Sequence, residues 1–564
     1  MINDAASGVL RVDEAKKPVG TKLVLTKGVA VLALASAIAS PAMAQFRLIP
    51  KPKPSPTPIA QPVATPVSQA QAPARTQAPR PAATPAQRAP QGQTPAVQTP
   101  RPTLAPPQVQ PTPLAPAPIV AATPLPTLSA RQIAELRQLL TDAGLSQGLR
   151  RMTSTVTLPN DSDGMARAAL DYARAVHSGR LDSSDFINDW GLRPAPFDPA
   201  PGFADAVKRD RLAAWIRSLP PPYAGYDGLE KGLVAYRAIL TAGGWPKLAP
   251  GPDLAKGASG ARVKALRKRL AVEDKQVATS GDVFDQNLQD AVLRAQRRYG
   301  LRPTGVVSTG TLAALNVPVE ARVRQIMANM ERWRWLPQTL PAKRIQVNIA
   351  AAVMTVFEGD SPIASMKAVT GRPGNETPML QSRIHSIVLN PPWNVPSGIA
   401  AKELWPKGAA YLKAHGYRVI GTGPDRRLQQ ESGPRSALGR YKFDFDNPYA
   451  VYLHDTPVQS GFNSYSRLDS HGCVRLEKPG PLAELLLKND PEWQPEAIAA
   501  QLEGTKTVRV RLADADQVAV YLLYWTAFAS GDGTMNFRDD PYNWDKLLAE
   551  KIESRAAVSV ATAS

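Results

Sequence analysis

Cysteine is nearly absent: the chain has one, Cys473, among 564 residues. A single thiol forms no intramolecular disulfide and no four-thiolate zinc site. A chain of this length has room for hydrophobic cores of its own, enough for three or four domains of ~100–200 residues each. Acidic and aromatic residues are missing from one long stretch: between Phe46 and Thr127 there is no Asp or Glu, and Phe46 is the only aromatic. Of 56 prolines, 23 fall between Pro50 and Thr127. Without a hydrophobic period, this stretch cannot bury enough apolar surface to offset its ordering entropy. It reads as a disordered tether over residues 45–127, reaching roughly 50 Å as a coil.

Long hydrophobic runs are lacking too. The apolar run from Val29 to Ile38 is shorter than the ~20 residues of a comfortable bilayer span. Lys22 and Lys27 precede it, and the small-residue site Ala42-Met43-Ala44 follows it. Together these read as a secretory signal peptide over residues 1–44, with an uncleaved membrane anchor as the alternative. Either way, the chain after Gln45 is expected outside the cytoplasm, in the periplasm or held at the inner membrane.

The formal net charge is +19. The tether holds seven basic residues and no acidic ones, and the rest of the excess is spread thinly, with no long Lys/Arg run. Nucleic acid is a poor partner for an exported chain. An acidic envelope polymer or membrane surface fits such a balance better, and so does an ordinary solvated surface.

Past Thr127 apolar residues fall at helical spacing. Ser129 heads "SARQIAELRQLLTDAGL" as an N-cap, and "DGMARAALDYARAVHSGRL" and "GLEKGLVAYRAILTAGG" repeat the pattern. Residues 128–248 are therefore expected to form a helical module, with His177 structural. A second helical unit is expected over 249–318, where "GASGARVKALRKRLAV" and "FDQNLQDAVLRAQRRYGLRPTGVVSTGTLAALNVP" carry apolar faces. "EARVRQIMANMERWRWLP" predicts a linker helix within 319–342 that docks Trp333 and Trp335 into the next domain. From Lys343 the period changes to two, in "RIQVNIAAAVMTVFEGD", "HSIVLNP", "AVYLHDTP" and "TVRVRLA". A mainly antiparallel β domain over 343–513 follows, interrupted by a helical insertion over 397–436. The apolar "ADQVAVYLLYWTAF" is assigned to one more helix, within a C-terminal segment over 514–564. The fold class is multi-domain α+β.

Chemistry gathers around the one cysteine. Cys473 lies in "SHGCVRL" with Ser470, His471, Gly472 and Arg475, and His454 lies 19 positions earlier in "VYLHDTP". A neighbouring imidazole can take the thiol proton and leave a nucleophilic thiolate. Gly472 lets the chain turn so that amides near Cys473 form an oxyanion hole. Arg475 supplies a fixed charge for a substrate carboxylate or for the loop itself. On the residues alone, a buried apolar cysteine remains an equal reading. A zinc site of His454, His471 and Cys473 lacks paired ligand spacing.

"HDTP" followed by "SHGCVRL" resembles the signature of the L,D-transpeptidase family. "NPPWNVPSGIA", "ALGRYKFDF" and "VYLHDTP" resemble its large Gram-negative branch, which usually has Pro-Gly-Pro and an Asn where this chain has Ser432 and Ser436. Residues 249–318 resemble the three-helix peptidoglycan-binding domain at Phe284, Leu288, Ala291, Val292, Gln296, Gly300, Leu301, Gly305, Thr311 and Leu315. Thr304 stands where that family usually has Asp. The resemblance implies a donor tetrapeptide stem attacked by Cys473, loss of D-Ala, a thioester, and resolution by an amine of a second stem as a 3→3 cross-link. It implies His454 as base, the main-chain carbonyl of Asp455 orienting its ring, and His471 as a supporter of the pocket whose proton-handling role stays open. Trp393, Asn394, Tyr452 and Ser470 would line the substrate site, and the insertion at 397–436 would cap it. The implied partners are peptidoglycan stems and other cell-wall synthesis proteins, with no cofactor and no metal. Anchoring of an outer-membrane protein, removal of D-Ala with water as acceptor, and a non-catalytic wall-binding scaffold are the alternatives.

Overall fold

The computed structural model describes residues 124–149 and 157–562. The expected signal peptide, and all but the last four residues of the expected tether, lie outside the described residues. The order of elements is helical first, then mixed, as the change of hydrophobic period predicts.

Ser129 caps Ala130–Ser146 through a reciprocal box with Gln132, which satisfies two amides that a helix start leaves open. This helix packs with Ser162–His177, Ala200–Lys208 and Leu212–Ser218 around a separate core that includes Leu136, Leu170, Phe203 and Leu212. His177 closes its helix and stacks on Phe197, ring centroids 3.6 Å apart. The next helix, Ala224–Thr241, turns its Leu229, Leu233 and Tyr236 toward the main core of the molecule instead.

Three short helices follow, Ala261–Ala271, Gln286–Arg298 and Thr309–Leu315. Buried Gln296 joins the second and third. Its amide nitrogen donates to Thr304 Oγ1 at 3.1 Å and Thr311 Oγ1 at 3.0 Å, and its carbonyl accepts from the Gly305 amide at 2.9 Å. Thr304 thus supplies an acceptor to the same hub from the position where the family usually has Asp.

Helix Val319–Trp333 is buried along most of its length. Trp333 stacks on Trp525 at 4.5 Å, and Trp335 meets Phe186 and Trp190. On this helix Glu331 is enclosed, 3.1 Å from Arg180 and 2.8 Å from Arg334. Burial alone would raise its carboxyl, but the two guanidiniums hold it below the usual carboxylate range.

The β domain is a ten-stranded, mainly antiparallel sheet. Its central stretch runs Val474–Leu476, Leu453–His454, Tyr441–Phe445, Leu380–Leu389, Val518–Leu523 and Lys343–Asn348. Val353–Glu358 pairs with both Lys343–Asn348 and Ser361–Gly371, which closes the path. One expectation fails here. "ADQVAVYLLYWTAF" contains no helix: Val518–Leu523 is a strand inside the sheet, parallel to Lys343–Asn348 and antiparallel to Leu380–Leu389. All six of its residues are buried. A strand covered on both faces shows a continuous apolar run with no period of two, and periodicity alone does not separate that from a buried helix. The C-terminal helix is the later Trp544–Thr562.

The insertion folds as a cap with its own small core of Val395, Ala400, Leu404, Leu412 and Leu428. It is not wholly helical. A three-stranded sheet of Trp393–Asn394, Arg427–Gln430 and Tyr417–Ile420 accompanies its helical turns. Those turns pass from Ser397–Ile399 into a π-helical turn at Ala400–Leu404 and a 3₁₀ turn at Trp405–Lys407. Pro406 has no amide hydrogen to continue an α-helix.

Candidate active site

Two short strands bring the motifs together. Leu453–His454 and Val474–Leu476 pair in parallel, with Leu453 opposite Val474 and His454 opposite Arg475. The Val474 amide donates to the Tyr452 carbonyl at 3.1 Å, so Cys473 emerges beside Tyr452, at the start of the ladder. Nineteen residues of sequence separation become one step across a sheet.

The loop before Cys473 is held from several sides. Gly472 has φ 108°, a conformation open to glycine and strained for other residues. Its carbonyl accepts from Thr377 Oγ1 at 2.7 Å, and its amide donates to Ser470 Oγ at 3.1 Å. Ser470 Oγ in turn donates to the Cys473 carbonyl at 2.5 Å. Ser470 is therefore a brace of the loop, buried within it, and not the pocket wall expected from sequence. The same bonds narrow the expected oxyanion hole. The Gly472 amide is committed to Ser470 and the Val474 amide to Tyr452, which leaves the amide of Cys473 itself as the remaining candidate donor of the loop.

His454 is buried, and its Nδ1 faces the main-chain carbonyl of Asp455 at 2.5 Å. A carbonyl only accepts, so Nδ1 carries the hydrogen and Nε2 is the bare nitrogen. Asp455 is itself pinned, its carboxylate accepting from the Arg440 and Thr456 amides at 2.7 Å each. Gly439, with φ 59°, leaves the space that this carboxylate fills; a Cβ there would fall 2.3 Å from Asp455 Oδ2. Burial, then the charge of Arg475, pushes His454 down to about 3, against the opposing Asp455 hydrogen bond. Burial pushes the Cys473 thiol up, against Tyr452, Lys442 and Arg475. Both shifts favour a resting pair of neutral thiol and neutral imidazole.

Arg475 is half-buried beside these groups, and burial lowers it against the pull of Asp469 and Cys473. Tyr452 meets the His454 ring edge-on at 5.6 Å, and Lys442 Nζ lies 4.3 Å from its centroid. Burial and the adjacent Cys473 raise the Tyr452 hydroxyl, while the Trp393 indole opposes them. Tyr452 thus adjoins the thiol, and Trp393 reaches Tyr452. Asn394 does not join them: its side-chain oxygen accepts from Gln429 at 2.8 Å within the cap sheet.

His471 points elsewhere than His454. Its Nε2 lies 2.6 Å from Glu403 Oε1 and 3.0 Å from an Arg372 nitrogen. Neither Glu403 nor Arg372 was expected from sequence. They stand 68 and 99 residues from His471, in stretches with no motif; the packing of the cap brings Glu403 near, and the pairing of Ser361–Gly371 with Leu468–Ser470 brings Arg372. Ser432 and Ser436 serve the cap's base, Ser432 by donating to the Thr505 carbonyl at 2.6 Å. Among the described residues, no three of His, Cys, Asp and Glu cluster as a metal ion would require.

Comparison with known proteins finds similarity over three stretches of the chain. Residues 342–510 match the family described as "L,D-transpeptidase catalytic domain", 164–233 match "Scaffold domain", and 259–315 match "Putative peptidoglycan binding domain". A "Putative L,D-transpeptidase" of Haemophilus influenzae is 31% identical over 250 residues, covering 41% of this chain and 50% of that protein. The chain thus spans about half the length of the curated relative it matches. An L,D-transpeptidase structure from Mycobacterium smegmatis is 16% identical, covering 32% of this chain and 58% of that one with a TM-score of 0.18. One from Stackebrandtia nassauensis is 15% identical, covering 49% and 97% with a TM-score of 0.20. Overlays this poor add nothing to the fold, and the sequence match over the β domain carries the assignment. Residues 342–510, with the histidine and cysteine motifs on adjacent strands, are thus similar to the L,D-transpeptidase catalytic domain, in one chain with stretches similar to a scaffold domain and a peptidoglycan-binding domain.

Proposed function

We propose that this protein is an exported L,D-transpeptidase that joins peptidoglycan stems by 3→3 cross-links through a thioester on Cys473. The observation that carries the reading is the parallel pairing of the His454 and Cys473 strands, with His454 Nδ1 tied to the Asp455 carbonyl. This leaves Nε2 as the one nitrogen able to take a proton.

Cys473 Sγ attacks the carbonyl of the third stem residue as His454 Nε2 accepts the thiol proton. Proton transfer accompanies attack, because neither group is charged at rest. The Cys473 amide receives the oxyanion, and Arg475 adds fixed positive charge beside it. The peptide C–N bond then breaks, D-Ala leaves as an amine with the proton returned by His454, and the acyl group stays on sulfur. The amine of a second stem attacks the thioester, loses a proton to His454, and the thiol is restored. One amide replaces another, so the exchange needs no ATP and no cofactor. The Trp393 and Tyr452 walls under the cap keep water from the thioester. The wall polymer is the substrate, the helical unit at 259–315 holds the enzyme to it, and the periplasm is the compartment.

Incubation of the purified protein with disaccharide-tetrapeptide tests this. Cross-linked dimers with release of D-Ala are expected. Disaccharide-tripeptide alone would mean that water is the acceptor, and unchanged substrate would overturn the reading.

A further inference from the structure

The two histidines beside Cys473 are oriented by different means. His454 leans on a backbone carbonyl of its own strand end. His471, two residues before Cys473, leans on a side chain delivered by the cap. Its Nε2 meets Glu403 Oε1 at 2.6 Å and an Arg372 nitrogen at 3.0 Å. A carboxylate only accepts and a guanidinium only donates, so one ring nitrogen cannot satisfy both. The shorter contact is to the anion, where a charge-assisted bond is the stronger. Arg372 then serves the carboxylate, 3.5 Å from the same Oε1. The His471 hydrogen bond, opposed by burial and aided by the charge of Arg372, keeps the Glu403 carboxyl below its ordinary range. Glu403 is thus the anion that this geometry requires.

Glu403 also sits in the π-helical turn Ala400–Leu404. Such turns are rare and frequent at functional sites. Arg372 follows the strand Ser361–Gly371, on the body of the β domain. The contact therefore spans cap and body at the root of the nucleophile loop, and all three side chains reach solvent, at 42% for Glu403, 43% for Arg372 and 24% for His471.

From this we infer that Glu403 is a positioning residue: it holds His471 as the Nε2–H tautomer, and so sets the nucleophile loop for reaction only while the cap is seated. With the cap lifted, Arg372 is the remaining partner, and donation from it turns His471 to the Nδ1–H tautomer. The cap thereby reports its position to the cysteine loop through one imidazole, whereas His454 keeps its tautomer throughout. The inference deepens the transpeptidase reading and rests on it for its kinetic arm.

The test uses the full chain with ¹⁵N-labelled histidines, of which there are five, with His471 assigned by loss of its signals in His471→Gln. Wild type should show His471 as Nε2–H. Glu403→Ala should move it to Nδ1–H, Glu403→Asp should restore part of the wild-type pattern, and Arg372→Ala should leave Nε2–H in place. On disaccharide-tetrapeptide, Glu403→Ala should lower kcat by about tenfold, the scale of one charge-assisted bond orienting a reacting loop, with KM little changed. An unchanged tautomer or an unchanged kcat in Glu403→Ala overturns the inference. A fall in stability without a tautomer change would also overturn it, leaving Glu403 a brace alone. If wild type itself shows no turnover, the transpeptidase reading fails, and the imidazole spectra still decide what Glu403 does.

Discussion

The body of the β domain and the cap contribute to the site in different ways. On the body, His454, Asp455, Gly472 and Cys473 are held by strand pairing and main-chain bonds, and these exist wherever the sheet is folded. On the cap, Trp393 and Glu403 reach the same place through side chains, from a unit with a separate small core. On the proposed mechanism, strand pairing makes nucleophile and base a property of the fold, and side-chain contacts make the second histidine depend on how the cap sits. Perturbing the body should therefore abolish chemistry, and perturbing the cap should modulate it.

The largest effect belongs to the body. His454→Ala should reduce turnover by ~10²–10⁴, the usual contribution of a general base, measured as dimer formation on disaccharide-tetrapeptide. A comparable loss from His471→Ala would break the comparison, because the cap-oriented histidine would then be the base.

Next is Gly472→Ala. Its φ of 108° should cost about 1–3 kcal/mol when a side chain is forced into it, and a Cβ there would also lie 3.2 Å from the Glu376 carbonyl. A fall in the denaturant midpoint together with lost activity is expected. Full activity would mean that the loop relaxes without consequence.

The buried imidazole predicts a pH effect on stability. His454 titrates near 6.5 when unfolded and is pushed to about 3 when folded. Between those values the unfolded chain binds more protons. The stability from burying the neutral ring is complete above pH 6.5 and is lost as pH falls toward 3, by up to a few kcal/mol. His454→Gln should flatten that limb of a stability–pH curve, and an unchanged slope would contradict the resting neutral pair.

A smaller effect is expected outside the catalytic domain. Gln296→Ala removes the hub between Thr304, Thr311 and Gly305 and leaves buried polar groups unpaired, at about 1–3 kcal/mol. Pull-down on insoluble sacculi should weaken while turnover of soluble donor persists. Equal loss of both would mark the unit as a brace for the catalytic domain.

These contrasts follow what was legible in the sequence. Helices with one apolar face, strands with period two, and the spacing from His454 to Cys473 could be read because each leaves a local pattern. Val518–Leu523 could not, because burial on both faces erases the alternation that distinguishes strand from helix. Ser470 was read as pocket wall because its neighbours are chemical, but its bonds to Gly472 and Cys473 turn it inward. Asn394 was carried along by its neighbour Trp393, although successive residues of a strand point to opposite faces. Glu403 and Arg372 leave no trace in the sequence: a cap carboxylate acquires its role only when tertiary packing sets it against an imidazole 68 residues away.

The central claim, that Cys473 is a nucleophile served by His454, is tested most directly by intact-protein mass after exposure to a carbapenem, whose strained carbonyl mimics an acyl donor. Mass should rise by one drug equivalent, peptide mapping should place the adduct on "SHGCVRL", Cys473→Ala should abolish it, and His454→Ala should slow its formation strongly. An adduct that survives Cys473→Ala would contradict the account.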